Sequence, residues 1–546
     1  MGLFLYKDKF ILAHNPYYKG DLMSKNYFSA LVFIILISQI ASAQTNNSYY
    51  SYIETDHIKL WYSLSNKIGQ NQNGNSGLEL KQLDNNTVMH SSNFLWGGFV
   101  NSKFTSGGTI YFRTNLLPGE FIYRDNPIAR EAQNHSWKYS ANWENISDPQ
   151  KKEEYENGFY NWRTDLGVNF YDDDKNGLYN PRTSNDAPGN LETEMHWFVM
   201  NDMNFEKSNE YFLSNPIGLE LQKTFSVFNW GEMMDVVFEK TIIINKGNNK
   251  VDSMYFCFFA DNDLGDAGDD FVGVDTTLNL GYSYNSKNND AVFGEAPPAV
   301  GHVILQSPIK TNSNRNISSF VPNYKNDHNW TYDFATYTEL GQKEMYNLLR
   351  GRMNDGKYFV SQIDGQPTIF PFTGDPESKT GWFENTDYYA ASDRRYHLNM
   401  GPITFNPGEK LTFYDAILVA KGSSNLNSVT KLKELAVKVI NFYKSGEMIT
   451  DIKSEETIPT NFELNQNYPN PFNPTTTIEI SIPKEGYFSL DVYNILGEKV
   501  ANLSDRYLQS GNHKYTFDAS NLSSGVYFYR LTGNNINLIK KMVLVR

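Results

Sequence analysis

The chain has 546 residues, 48 basic and 62 acidic, for a net charge of −14. An acidic balance with no basic tract argues against nucleic acid as the main partner. With 40% hydrophobic and 20% charged residues the composition is not that of a disordered chain. Aromatics at 15% favour strands over helical bundles, and the length has room for several domains. The single cysteine, Cys257, rules out an internal disulfide. It lies in the apolar run Met254 to Phe259, which reads as a buried strand with the thiol acting as a small hydrophobe.

Residues Met23 to Gln44 read as a secretory signal peptide. Lys25 supplies the positive n-region, Ala30 to Ile37 the apolar run, and Ala41-Ser42-Ala43 the small-x-small cleavage site. Cleavage after Ala43 would leave Gln44 at the mature N-terminus. The apolar run falls short of the ~20 residues that cross a bilayer, and no other stretch approaches a span. Met23 is the simplest start, which leaves Met1 to Leu22 outside the mature product.

From Gln44 to residue 449 the chain reads as a mainly β, β-sandwich-like body of one or two units, with a few peripheral helices. Strand candidates are Thr109–Arg113, Trp197–Met200, Leu219–Phe228, Val236–Asn245, Ser253–Ala260, Val300–Gln306 and Leu411–Ala420. Helical spacing of apolar residues predicts a short helix near Thr338–Arg350 and a longer one through Leu426, Val429, Leu432, Leu435, Val439 and Tyr443, with Asn425 as the expected cap.

Two acidic stretches carry the chemistry. Asp172, Asp174 and Asn176 precede Gly177 in D-x-D-x-N-G, the opening of a calcium loop, with the carbonyl of Leu178 as a further ligand. The twelfth position is Thr183 in place of a bidentate Glu; flanking Tyr171, Tyr179 and Pro181 point to a β-type loop, with Asp165 and Asp186 as distant ligands. The second stretch is Asp261, Asp263, Asp266, Asp269 and Asp270, with Asp275 beyond. So many carboxylates repel one another unless a cation intervenes, and an all-oxygen donor set selects calcium. A solvated acidic loop or the acid/base pair of a glycosidase are the competing readings.

Other patterns are weaker. Gly351 to Lys357 matches a phosphate loop by spacing, but Tyr358 stands where Ser or Thr is required. His196 and His397 are isolated and read as packed residues. Asp393-Arg394-Arg395 reads as a buried ion pair before a carboxylate clamp. Trp137, Trp143, Trp162, Trp197, Trp330, Trp382, Tyr388 and Tyr389 sit among polar residues, as a glycan platform would, although core packing is the commoner use of Trp.

Thr450 to Thr460 reads as a linker, and residues 461–546 as a small immunoglobulin-like β-sandwich. Ile478, Ile480 and Ile482 alternate with polar residues, as do Phe488, Leu490 and Val492. This segment resembles the type A C-terminal sorting domain of the type IX secretion system. The resemblance rests on Tyr468-Pro469-Asn470-Pro471-Phe472-Asn473-Pro474, on Val492 to Val500, on Ser524 to Leu531 with Gly525 and Tyr527, and on the basic end with Lys540 and Lys541. It implies passage through the periplasm, recognition by the translocon, and delivery to the cell surface or the medium. The body also resembles an uncharacterised region that precedes such domains in secreted proteins, over Asp261–Asp275, Asn279–Tyr282 and Ala296–Gly301. That likeness carries no activity.

The sequence therefore predicts a secreted or surface protein whose body is a calcium-stabilised, non-catalytic binding, adhesion or structural module, with a glycan or another surface component as partner. The alternative is a polysaccharide hydrolase with paired carboxylates.

Overall fold

The computed structural model describes residues 3–6, 9–12, 49–110, 113–123, 135–189, 192–309, 315–324, 337–386, 390–446, 461–467, 469–484, 486–508, 511–533 and 536–545. The expected signal peptide and linker lie outside these residues. Two compact units are present, Met1–Thr450 and Asp451–Arg546.

The body is built on two large antiparallel sheets packed as a β-sandwich, with a small four-stranded sheet and short two-stranded pairs beside them. The small sheet contains β1 (Tyr50–Glu54), β2 (Ile58–Ser63), β3 (Leu78–Leu80) and β4 (Asn86–Thr87), in that order. Next in the chain come β5 (Ser91–Val100), β6 (Lys103–Ile110), β7 (Arg113–Thr114), β8 (Leu117–Pro118) and β9 (Trp137–Ser140). They are followed by β10 (Glu194–Asn201), β11 (Leu219–Val227), β12 (Val236–Asn245), β13 (Val251–Asp261), β14 (Asp270–Asp275) and β15 (Leu280–Asn285). The last body strands are β16 (Ala299–Gln306), β17 (Ser319–Tyr324), β18 (Arg394–Phe405) and β19 (Lys410–Ala420). One large sheet runs β8-β10-β11-β12-β19-β16-β15-β14, with β9 also on β10; the other runs β17-β18-β13-β5-β6-β7.

Strand alternation divides the side chains between layers. Phe413 on β19 meets Phe94 and Phe256 of the facing sheet, at ring-centroid distances of 5.4 and 5.1 Å. Its neighbour Tyr414 points the other way, to Tyr443 of the long helix α4 (Asn425–Ser445), counted after α1 (Pro149–Tyr160), α2 (Phe205–Phe212) and α3 (Glu339–Leu349). On the six-stranded sheet Phe256 faces inward while Tyr255 meets Tyr346 of α3. Both sheets are thus covered on both faces, and β11 and β17 are buried along their whole length.

The apolar stripe of α4 is as its spacing predicts, but the cap is Ser424, whose side chain accepts from Asn427 N at 3.0 Å. Asn425 instead reaches the carbonyl of Asn285 at 2.8 Å. Helix α1 carries little apolar periodicity and α2 is only eight residues long, and both are absent from the sequence-based expectation; their caps, Asp148 and Asn204, accept from Lys151 N and Lys207 N. Cys257 is fully buried on β13, and burial pushes its thiol up.

Because the interior spans whole strands, it contains polar groups that must find partners inside. Lys223 pairs with Glu239 at 2.6 Å, both fully buried, and Asp415 beside them is pushed well above the usual carboxylate range by burial and by Glu239. Arg394 pairs with Glu384 at 2.7 Å, which confirms the ion-pair reading of that motif. His302 meets Ser92 at 2.7 Å and Tyr396 at 3.2 Å, while His397 packs beside Phe259.

The second unit packs two sheets around one core. Its strands are β20 (Glu463–Leu464), β21 (Thr475–Ile482), β22 (Gly486–Tyr493), β23 (Lys499–Leu508), β24 (Gly511–Asp518), β25 (Gly525–Gly533) and β26 (Ile536–Leu544). They form the sheets β20-β21-β24 and β23-β22-β25-β26. Ile478, Ile480, Ile482, Phe488, Leu490 and Val492 all lie in the core, as their alternation predicts.

Burial lowers His302 to about 3 and His397 to about 4, from an ordinary 6.5. The unfolded chain therefore binds these two protons first as pH falls below 6.5, and folding stability is lost on the way down. Denaturant titrations from pH 7 to 4 are expected to show stability falling by up to about 2.7 kcal/mol per pH unit on their account. Replacing either histidine by Gln halves that slope; an unchanged slope in both variants refutes the assignment.

Candidate functional site

Three places gather chemistry-bearing side chains. The first is the loop that follows α1. Asp172, Asp174 and Asp186 each offer an oxygen within 4.8 Å of the others. Asp172 accepts from Asn176 N and Gly177 N, at 3.2 and 2.7 Å, so the D-x-D-x-N-G segment curls around its first carboxylate. Gly177 takes φ +77°, which few side chains tolerate. Asn176 itself is exposed and bonds Asp174 and Leu178 N. The side chain of Leu178 is exposed and its carbonyl faces the Asn180 amide at 2.6 Å. Buried Asp186 closes the group, accepting from Asp173 N and Asn180 N. Asp165 stands apart, paired with Arg163 at 2.7 Å, and this bond holds its carboxyl below the usual range against burial.

The second place is the end of β13. Asp261 and Asp263 converge with Asp393, again with oxygens within 4.8 Å. Cross-strand register puts Asp261 opposite Arg395 on β18, with Oδ1 and Nε 2.9 Å apart. Burial pushes Asp261 up to about 7 against the pull of Arg395, and the Asp263 and Asp393 charges add to the rise. The remaining acids of this stretch go elsewhere. Asp266 accepts from Gly268 N, and Asp269 accepts from Asn285 at 2.6 Å. Buried Asp270 accepts from Leu264 N, and burial pushes it well up. Asp290, unmarked in the sequence reading, receives Asp266 N at 3.0 Å. Asp275 caps the turn at Thr277 and lies 3.9 Å from Lys433. The long-range partners Asp393 and Asp290 carry no local signal.

The third place was not legible in the sequence. The outer face of the small sheet and the start of α1 enclose a cleft of about 540 Å³, lined by Tyr50, Tyr52, Trp61, Lys138, Lys151 and Glu154 among others. Tyr52 and Trp61 are cross-strand partners, with ring centroids 5.0 Å apart at 58°. The floor is Tyr155. Its hydroxyl donates to Glu194, which also meets His196 Nε2 at 2.7 Å, and His196 Nδ1 meets Tyr62 OH at 2.8 Å. Burial works to raise Glu194, but His196, Tyr155 and Lys151 together hold it below the usual range. The tryptophans expected to form a platform do something else: Trp137, Trp162, Trp197 and Trp382 are buried in the core. Trp143 is half-buried, while Trp330, Tyr388 and Tyr389 lie outside the described residues.

In the second unit the proline-rich opening is tied to the last strand. Phe472 is buried, donates its N–H to Val543 O at 2.9 Å and accepts from Val545 N at 3.0 Å. Asn470 accepts from Val543 N, and Pro469 O accepts from Asn467 and Thr476. Pro474 O accepts from Ala519 N. Pro471 and Asn473 are exposed, and Tyr468 lies outside the described residues. Gly525 opens β25, Tyr527 is buried two residues on, and Lys540 and Lys541 are exposed on β26.

Residues 466–545 match the family described as the secretion system C-terminal sorting domain. This is the type IX sorting tail, and it marks the protein for export to the cell surface or the medium. The comparison with curated proteins gave no match. Among solved structures, a polysaccharide lyase is similar at 7% identity with a TM-score of 0.18, over 60% of this chain and 34% of its own. The chain thus spans about a third of that protein, and a likeness at this level carries no argument. No helix among the described residues is long and apolar enough to cross a membrane.

The cleft depends on how closely α1 approaches β9. A Cβ on Gly158 would lie 1.9 Å from the backbone oxygen of Lys138. Alanine favours the helix by about 1 kcal/mol, but overpacking against backbone costs about 1–3 kcal/mol or more. Gly158→Ala is therefore expected to lower stability by about 1–2 kcal/mol in urea unfolding; a stabilised variant shows that the contact is absent.

Proposed function

We propose that the body is a calcium-stabilised, non-catalytic binding module, carried through the periplasm and displayed or released outside the cell by its type IX tail. The observation that carries this reading is how the body uses its carboxylates. Several inside the sandwich are committed to structural partners: Glu239 to Lys223, Glu384 to Arg394 and Glu194 to His196 and Tyr155, while Asp415 is sealed in the interior away from the aromatic cleft. In the aromatic cleft, Asp148 caps α1 and Glu154 pairs with Lys138 at 2.8 Å. A glycosidase needs two carboxyl groups facing its substrate across a cleft, so this arrangement speaks for binding over hydrolysis.

Calcium is the reading best suited to Asp172, Asp174 and Asp186. Their oxygens converge at a tight turn, and the surrounding donors are amide and carbonyl oxygens, which suit a hard cation. Asp261, Asp263 and Asp393 form a second candidate, although Arg395 already supplies part of the compensating charge.

Two measurements test the proposal. A cation bound only by the folded state adds about 2.7 kcal/mol at a hundredfold excess over Kd. Chelation is therefore expected to lower Tm by several degrees, and Asp172→Asn with Asp186→Asn to abolish the response. An unchanged melt removes calcium from the reading. Deletion of residues 461–546 is expected to leave the body in the periplasm; normal delivery outside the cell would overturn the export assignment.

A further inference from the structure

We infer that the cleft between the small sheet and α1 is a subsite for an uncharged polysaccharide, a reading that rests on the binding-module proposal and names its partner. Alternation along β1 and β2 sends Ile53, Leu60 and Tyr62 into the core and leaves Tyr50, Tyr52 and Trp61 half-exposed on the other face. The sandwich core is complete without these three rings, which border water in the cleft wall. Tyr52 and Trp61 are inclined at 58°, so they form two plates of an angled platform and not a closed stack. The apolar faces of pyranose rings lie on such plates, and the cleft's 540 Å³ is within the range that holds a small ligand.

The opposite wall supplies the polar half of the recognition. Lys138, Lys151, Asp148 and Glu154 line it, two cations against two carboxylates, so donors and acceptors are both present and their charges cancel. A polyanion gains nothing from such a wall, whereas a ring of hydroxyl groups both donates and accepts. Lys59 lies over the Tyr52 and Trp61 rings, 4.3 and 4.5 Å from their centroids, and pairs with Glu79 at 3.8 Å, so it shares the platform with a sugar without adding net charge. Below, the chain of hydrogen bonds from Tyr155 through Glu194 and His196 to Tyr62 holds the floor in place. A preformed site of this kind avoids ordering its own side chains when it binds.

The test is calorimetric titration of the full chain, with calcium present, using cellohexaose, xylohexaose and mannohexaose, with polygalacturonate as the charged control. At least one neutral hexasaccharide is expected to bind. Trp61→Ala and Tyr52→Ala are each expected to weaken it by about tenfold or more, equivalent to ~1.4 kcal/mol, with Tm kept within about 2 °C. If Trp61→Ala melts early, Tyr52→Ala and Lys151→Gln decide. Binding of polygalacturonate alone, of none of the four, or binding that survives these substitutions overturns the inference. Absence of saccharide binding alongside an intact calcium response would remove this inference alone. Loss of the calcium response would remove calcium from the parent reading and leave the cleft result standing.

Discussion

Everything in the body follows from covering two stacked sheets on both faces. The two inner faces bury each other, α4 covers the outer face of one sheet, and α3 covers that of the other. Such strands cannot keep a water-facing side, so polar residues that remain in them must be satisfied within the protein. Lys223 with Glu239, Arg394 with Glu384 and Asp261 with Arg395 meet that demand. Buried pairs of this kind add little net stability over apolar residues. What they do is penalise alternatives, because a strand slipped by one residue would turn each charge into the opposite layer without its partner.

The same constraint decides where ligands have room. With most of the large sheets covered, the broadest cleft described above falls on the small sheet. The Asp172–Asp186 loop and the aromatic cleft flank the same helix, α1, which leaves β9 only enough space for the glycine at position 158. Helix α1 has a weak apolar face and is held by specific contacts: the Lys138–Glu154 pair and the bond from Tyr155 to Glu194. The first and third candidate places thus share one helix held on a rigid frame, as binding surfaces commonly do.

In the second unit the proline-rich opening and the C-terminal strand are far apart in sequence and adjacent in space. Phe472 is inserted into the core between them, while Tyr529 accepts from Asn467 N and donates to Asn465 O. Loss of the last strand would leave Asn470 and Phe472 without partners. Several residues of the proline-rich opening therefore close the sandwich, while Lys540 and Lys541 are exposed on β26.

Local chemistry determined a good deal. Apolar runs located β11, β12, β13, β16 and β19, period-2 alternation located the core of the second unit, and helical spacing located α3 and α4, because these signals lie within a single element. The D-x-D-x-N-G turn was legible for the same reason. Only the tertiary structure decided the rest. Asp393 joins Asp261 and Asp263 through the pairing of β13 with β18, and Asp186 closes the first loop. The scattered tryptophans went into the core, while Tyr52 and Trp61 became the exposed pair. The reason is that alternation says two residues share a face but not whether that face meets water or another layer. That depends on which elements stack upon it, a property of the whole chain.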